Sequence, residues 1–155
     1  MIEDFRVYAA KNDETLERIL SNRTATGQLF IQANNYYFPT NTWNDFVAVV
    51  LNWWVTNALS LDEAAIEVEN RFMDGPYSYR ARREPGTDTI SVVFVRDSYQ
   101  ELSKKIEISY KDYLNSLHRG AESFLNEIGS VSDKDLEELR ENLVRLVNLK
   151  KDLNT

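Results

Sequence analysis

Four carboxylates stand close together near the middle of the chain and are the first candidates for chemistry. Asp62 and Glu63 follow an apolar stretch, and Glu67 and Glu69 come shortly after. Such a group could hold a metal ion or act as an acid–base pair. The spacing of Glu67 and Glu69, however, places both on one solvent-facing side of a strand, where carboxylates usually pair with arginines. We therefore predict that these four residues form a docking patch for a basic partner.

Other residue types that commonly carry catalysis or bind metals are scarce. The chain has no cysteine and a single histidine, His118, so it has no thiolate nucleophile, thiolate metal site or disulfide. His118 lies beside Leu114 and Leu117 on the apolar side of a helical pattern and could be a buried base. No serine–histidine–acid or nucleophile-elbow pattern accompanies it. We predict a protein that is not an enzyme and has no cofactor and no metal.

The most apolar segment predicts the helix at the centre of the core. Thr42 can cap a helix that begins at Trp43 and ends at about Leu59. At 100° per residue, nearly all of its side chains are apolar except for one narrow stripe, formed by Asp45, Asn52 and Thr56.

The tryptophans of this segment leave a second interpretation open. Trp53 and Trp54 are adjacent, so they cannot both point into the core, and one of them reaches a pocket or the surface. A small-molecule-binding or enzymatic α+β domain would have a pocket between the Trp43 helix and the sheet. That pocket would need converging polar groups such as Asp45, Asn52 and His118.

Alternation of polar and apolar residues from 64 to 96 predicts strands. Two alternating segments, 66–72 and 77–82, flank a turn at Asp74-Gly75-Pro76 and form a hairpin. Its register sets acidic side chains opposite basic ones, with Glu67 and Glu69 facing Arg80 and Arg82.

Further strands are predicted on either side of this hairpin. Residues 90–95 are apolar on both faces and indicate a central strand, whereas residues 104–109 are either another strand or the beginning of a helix. Residues 28–33 and 36–38 form two more extended segments. The strands together predict a mainly antiparallel meander.

Helical periodicity returns after Tyr110. An amphipathic helix runs to Ile128 and stops at Gly129, and Ser132 with Asp135 resembles the capping box of a last helix. A weaker pattern predicts a short helix over 13–22. Leucines repeat at heptad-like spacing in the last helix: Leu136, Leu139, Leu143, Leu146 and Leu153.

These elements predict one α+β domain over residues 1–155: a mainly antiparallel sheet (meander) packed by a central hydrophobic helix, with a C-terminal helical hairpin. The leucine repeat could be a dimer seam. Neighbouring amphipathic helices joined by a short loop more often pack on each other, so we favour a monomer over a homodimer.

The charge and the ends of the chain limit the partners. With 155 residues and a formal net charge of -7, the chain lacks the basic surface that nucleic-acid binding requires, and its charge suits a basic protein partner. The N-terminus has no secretion signal, and the longest apolar stretch is interrupted by polar residues and too short to span a bilayer. We predict a cytoplasmic protein that binds neither nucleic acid nor membrane.

Short motifs in residues 28–96 resemble a group of small uncharacterised bacterial proteins, several of which look like immunity proteins of polymorphic or contact-dependent toxin systems. The resemblance implies a cytoplasmic protein that binds and neutralises one cognate toxin domain, commonly a nuclease. The matching residues look like fold determinants, so the resemblance carries over no toxin contact. They are Tyr37-Phe38-Pro39, Trp43-Asn44-Asp45-Phe46, Trp53-Trp54 and Phe72-Met73-Asp74-Gly75-Pro76-Tyr77.

Overall fold

The N-terminal part of the chain folds into a four-stranded antiparallel sheet. The computed structural model describes residues 4–63 and 65–154, without the side chain of Glu63. Strand β1 pairs with β2, which also pairs with β3 and β4, and a short helix α1 connects β1 to β2. The bounds are β1 Phe5–Lys11, α1 Thr15–Leu20, β2 Gly27–Ala33, β3 Tyr36–Phe38 and β4 Asn44–Asp45.

The second sheet is the predicted meander. Four strands follow one another in the order β5-β6-β7-β8, all antiparallel. The predicted register is confirmed, because Glu67 lies opposite Arg82 and Glu69 opposite Arg80. The bounds are β5 Glu67–Arg71, β6 Tyr77–Arg83, β7 Thr89–Arg96 and β8 Gln100–Ser109.

Three long helices complete the α+β fold, which confirms the predicted class. They are α2 Val47–Glu63, α3 Tyr110–Ile128 and α4 Lys134–Leu153. Helix α2 packs against β5 and α4, and α3 and α4 form the predicted hairpin. Trp54 of α2 is fully buried, with its ring centroid 4.9 Å from that of Phe72 and 5.1 Å from that of Tyr79. The ring of Phe38 packs on that of Phe94, with centroids 4.7 Å apart, and this contact joins the two sheets.

The sequence predicted that the central helix begins at Trp43, and this boundary was wrong. Asn44 and Asp45 pair with β2 as strand β4, so the backbone there is extended and the helix begins at Val47. Asp45 is therefore not on the polar stripe of the helix. Trp43 lies outside the helix, where its ring packs on Tyr77 with centroids 5.3 Å apart.

Other predicted boundaries were also wrong. Helix α1 covers only Thr15–Leu20 instead of residues 13–22. Helix α2 continues beyond Leu59 to Glu63. Helix α4 is capped by Asp133, whose Oδ1 accepts from the Leu136 backbone N–H at 2.9 Å, and not by Ser132. The leucine repeat of α4 packs on the protein's own core.

Helix α3 covers the outer edge of β1, a contact that the sequence patterns did not indicate. Ser116 Oγ donates to the Phe5 carbonyl oxygen at 2.5 Å, and the Lys11 backbone N–H donates to Glu127 Oε1 at 3.3 Å. Between them, Gly120 lies directly against Val7: an ideal Cβ there would stand 2.7 Å from the Val7 carbonyl oxygen. The helix thus satisfies backbone groups that an exposed edge would offer to another chain.

We expect Gly120→Ala to destabilise the protein. The added methyl group meets the backbone of β1, and an overpacking cost of about 1–3 kcal/mol outweighs the gain of up to about 1 kcal/mol in helix propensity. Thermal unfolding should show a Tm lowered by a few degrees. Ser123→Ala, an exposed site on the same helix, is the control and should leave Tm unchanged or slightly raised. Equal Tm values for both variants would contradict the close contact.

Candidate functional site

The predicted acidic residues lie along the seam between α2 and β5. Two hydrogen bonds hold the strand beside the helix: Trp54 Nε1 donates to the Arg71 carbonyl oxygen at 2.8 Å, and Asn57 Nδ2 donates to the Glu69 carbonyl oxygen at 3.1 Å. Because α2 and β5 run in opposite directions here, Asp62 is near the end of the seam where β5 begins.

The protein's own arginines neutralise part of this predicted patch. Glu69 Oε1 lies 2.8 Å from Arg71 Nε, and Asp62 Oδ1 lies 3.7 Å from Arg83 Nη1. Glu67 is exposed on β5, and the side chain of Glu63 lies outside the described residues. The structure therefore brings Glu69 and Asp62 to arginines of the same chain, while the patch as a whole stays a prediction.

The two adjacent tryptophans of α2 point in opposite directions, as predicted. Trp54 is buried between α2 and the second sheet, whereas Trp53 is 42% exposed. An exposed indole is a large apolar surface, and aromatic side chains of this kind are enriched at the centres of protein interfaces. Trp53 therefore marks a part of α2 that the described chain leaves partly uncovered.

Trp53 lies in a groove of about 450 Å³ formed by α2, β5 and the first turns of α4. Helix α4 is positioned by Asn52, which donates through Nδ2 to the Asp135 carbonyl oxygen at 3.0 Å and accepts from Asn142 Nδ2 at 3.0 Å. We call this site the Trp53 groove; its lining residues are Val49, Asn52, Trp53, Thr56, Asn57, Glu69, Arg71, Asp135 and Glu138.

The Trp53 groove has an excess of negative charge. Its ionisable side chains are Glu69, Asp135, Glu138 and Arg71. Arg71 is paired with Glu69, and in the described part of the chain neither Asp135 nor Glu138 makes an ion pair. Two carboxylates without a counter-charge beside an exposed indole favour a cationic ligand surface.

The polar residues expected in a pocket between helix and sheet do not converge. Asp45 is buried, and its carboxylate accepts from Trp43 Nε1 at 3.1 Å and from the backbone N–H groups of Phe46 and Asp74 at 2.7 and 3.2 Å. Burial raises the pKa of Asp45 above its ordinary value, although these hydrogen bonds act in the opposite direction. Asp45 thus joins β4, the start of α2 and the β5–β6 turn.

His118 lies elsewhere, between α3 and α4. Its Nδ1 is 2.8 Å from Lys150 Nζ and its Nε2 is 3.3 Å from Glu122 Oε2. Burial, followed by the charge of Lys150, lowers the pKa of His118 below its usual value. The side chain of Trp54 fills the space between α2 and the second sheet, so the expected pocket is occupied by core.

A second exposed aromatic surface lies on the outer face of the first sheet. Tyr8 stacks on Phe30 with ring centroids 4.6 Å apart, and Phe30 contacts Tyr37 at 5.9 Å. Near Tyr8, Arg6 pairs with Asp4 at 3.4 Å. The Trp53 groove, in contrast, has two carboxylates that make no ion pair in the described part of the chain, so it is the stronger candidate for binding a basic partner.

Residues 4–63 and 65–154 hold no cluster of three or more histidine or carboxylate side chains arranged to bind a metal ion. None of the described helices combines the length and the apolar character needed to cross a bilayer. The chain matches no protein-family model, no curated protein and no solved structure. The resemblance of residues 28–96 to immunity proteins stays a prediction.

Proposed function

We propose that the protein is a cytoplasmic immunity protein, not an enzyme, that binds a basic toxin domain of the same cell and neutralises it. The observation that carries this proposal is the Trp53 groove, in which an exposed indole is flanked by carboxylates. The identification of the partner as a toxin rests on the resemblance, and its basic character rests on the charge of the groove and of the whole chain.

The groove has the composition of a protein-binding surface. A tryptophan that loses water on binding can supply a large share of an interface's free energy. Carboxylates around it attract a basic partner and raise the association rate, an advantage for an inhibitor that must act before its toxin does. A nuclease domain fits this description, because its substrate cleft must carry positive charge to bind phosphates.

The lining residues also account for the choice of an inhibitor over an enzyme. They include no histidine, cysteine or serine, and Thr56 has no adjacent base to activate its hydroxyl group. The carboxylate of Glu69 lies 2.8 Å from Arg71 Nε and is thus already engaged by a side chain of the same protein. A surface that binds without reacting is what neutralisation requires.

Affinity capture followed by co-expression tests this function. The purified chain would be used as bait in an extract of its source cell, and each retained protein would be expressed in a heterologous host with and without this chain. We expect one retained protein to have a basic domain that arrests growth alone and to be harmless when the chain is co-expressed. Retained proteins that never arrest growth, or an arrest that the chain does not relieve, would contradict the proposal.

A further inference from the structure

The Trp53 groove contains one cation of its own, Arg71, and the position of this side chain suggests what the partner inserts. The Arg71 backbone is fixed, because its carbonyl oxygen accepts from Trp54 Nε1 at 2.8 Å. Its side chain is 65% exposed and reaches back along the strand to Glu69, with Nε 2.8 Å from Oε1. Arg71 is therefore anchored at its base and free to move at its guanidinium group.

The ion pair of Arg71 is open to solvent on the arginine side. Arg71 is 65% exposed, whereas Glu69 is 30% exposed and its Oε1 is buried. Water and salt screen the exposed guanidinium group and ordering a long side chain costs entropy, which limits what the pair contributes to stability. Glu69 has a second basic neighbour, Arg80, whose Nε lies 4.0 Å from Oε2. Glu69 therefore keeps a counter-charge when the Arg71 guanidinium moves away.

The other lining groups define the chemistry of the occupant. Asp135 and Glu138 bring two carboxylates to the flank of the groove that α4 forms, and Trp53 offers an aromatic face. Only Val49 and Trp53 are apolar among the lining residues, so most of the groups that an occupant would meet are polar or charged. A planar guanidinium group can stack on an indole and donate two parallel hydrogen bonds to a carboxylate, which an ammonium group cannot do.

We propose that the Trp53 groove receives an arginine side chain of the partner and that Arg71 acts as an internal competitor, which holds Glu69 in the free protein and moves aside on binding. The inference rests on the proposed function only for the identity of the partner. It explains why an acidic groove carries one exposed arginine. It also predicts that removing this arginine strengthens the binding of cations.

A titration with a defined peptide tests the inference without the toxin. The probe is N-acetyl-Gly-Arg-Gly-amide, and the control is the same peptide with citrulline, a neutral residue of nearly the same shape. The readout is the NMR signal of the Trp53 indole N–H, assigned by its loss in Trp53→Phe. We expect the arginine peptide to shift this signal and the citrulline peptide to leave it in place.

Two variants then test the roles of Arg71 and Glu138 in the groove. Arg71→Gln should bind the arginine peptide about two- to fivefold more tightly than the wild type, the factor expected from removing one exposed ion pair. Glu138→Gln should bind it more weakly. Glu14→Gln, which removes an exposed carboxylate on the β1–α1 connection, should bind it as the wild type does and is the charge-matched control for Glu138→Gln.

The outcomes distinguish this inference from the proposed function. A Trp53 signal that does not move, equal shifts with both peptides, or equal affinity of Arg71→Gln and Glu14→Gln would overturn the arginine site. Neutralisation of a captured toxin could still be observed in those cases. Conversely, tight and arginine-specific binding in Arg71→Gln would support the site even if no toxin were captured.

Discussion

Trp53→Ala should weaken the binding of the partner by about 30-fold or more while leaving the fold intact. Truncation of a central interface tryptophan typically costs about 2 kcal/mol or more of binding free energy, which corresponds to that factor. The indole of Trp53 is 42% exposed and covers only part of the groove, so the stability of the free protein should fall by about 1 kcal/mol or less. Calorimetry with the captured partner and thermal unfolding of the variant measure the two effects.

A second exposed aromatic residue provides the control for Trp53. Tyr99, which directly precedes β8, is 78% exposed and is not among the residues that line the groove. Tyr99→Ala should bind the partner with wild-type affinity. If Tyr99→Ala lost affinity and Trp53→Ala retained it, the interface would lie at the β7–β8 turn and not at the groove.

Trp54→Ala, in contrast to Trp53→Ala, should strongly destabilise the fold. We expect it to cause the largest loss of stability among the variants discussed. The side chain is fully buried, packs edge-on against Phe72 and Tyr79, and donates to the Arg71 carbonyl oxygen. Its removal leaves a cavity and an unpaired carbonyl group, at a cost of about 3–5 kcal/mol. Tm should fall by about 10 °C or more for a chain of this size.

A more conservative change at the same position separates packing from hydrogen bonding. Trp54→Phe keeps an aromatic ring in the core but cannot donate to Arg71, so its loss of stability should be clearly smaller than that of Trp54→Ala. Equal losses in the two variants would assign the effect to the hydrogen bond. A stability of Trp54→Ala near the wild-type value would contradict the buried position of this residue.

Sequence patterns predicted the fold correctly where residues close together in the chain determine it. The turn at Gly75 and the alternation around it were sufficient for the hairpin register, because a one-residue slip would have turned the apolar side chains outward. The start of α2 was predicted wrongly, since pairing of Asn44 and Asp45 with β2 depends on residues distant in the chain. Strand β1 was missed although its buried residues Phe5, Val7 and Ala9 alternate with more exposed ones in the sequence.

The candidate site was predictable only in part. The sequence showed that one of Trp53 and Trp54 must leave the core, and it included Glu69 among the partner-binding residues. It could not indicate Asp135 and Glu138, which reach the groove only because α4 folds back onto α2. A usable signal was the polar character of Asn52 and Thr56 around Trp53, which marks the side of α2 that does not face the sheets.

If this chain neutralises a toxin by binding it, a titration of the toxic activity will show the neutralisation. The captured partner's toxin domain would be assayed in vitro for its own reaction at a fixed concentration, with increasing amounts of the chain. We expect a linear loss of activity that is complete at one equivalent, as for tight binding. Full activity in the presence of several equivalents of the folded chain would contradict it.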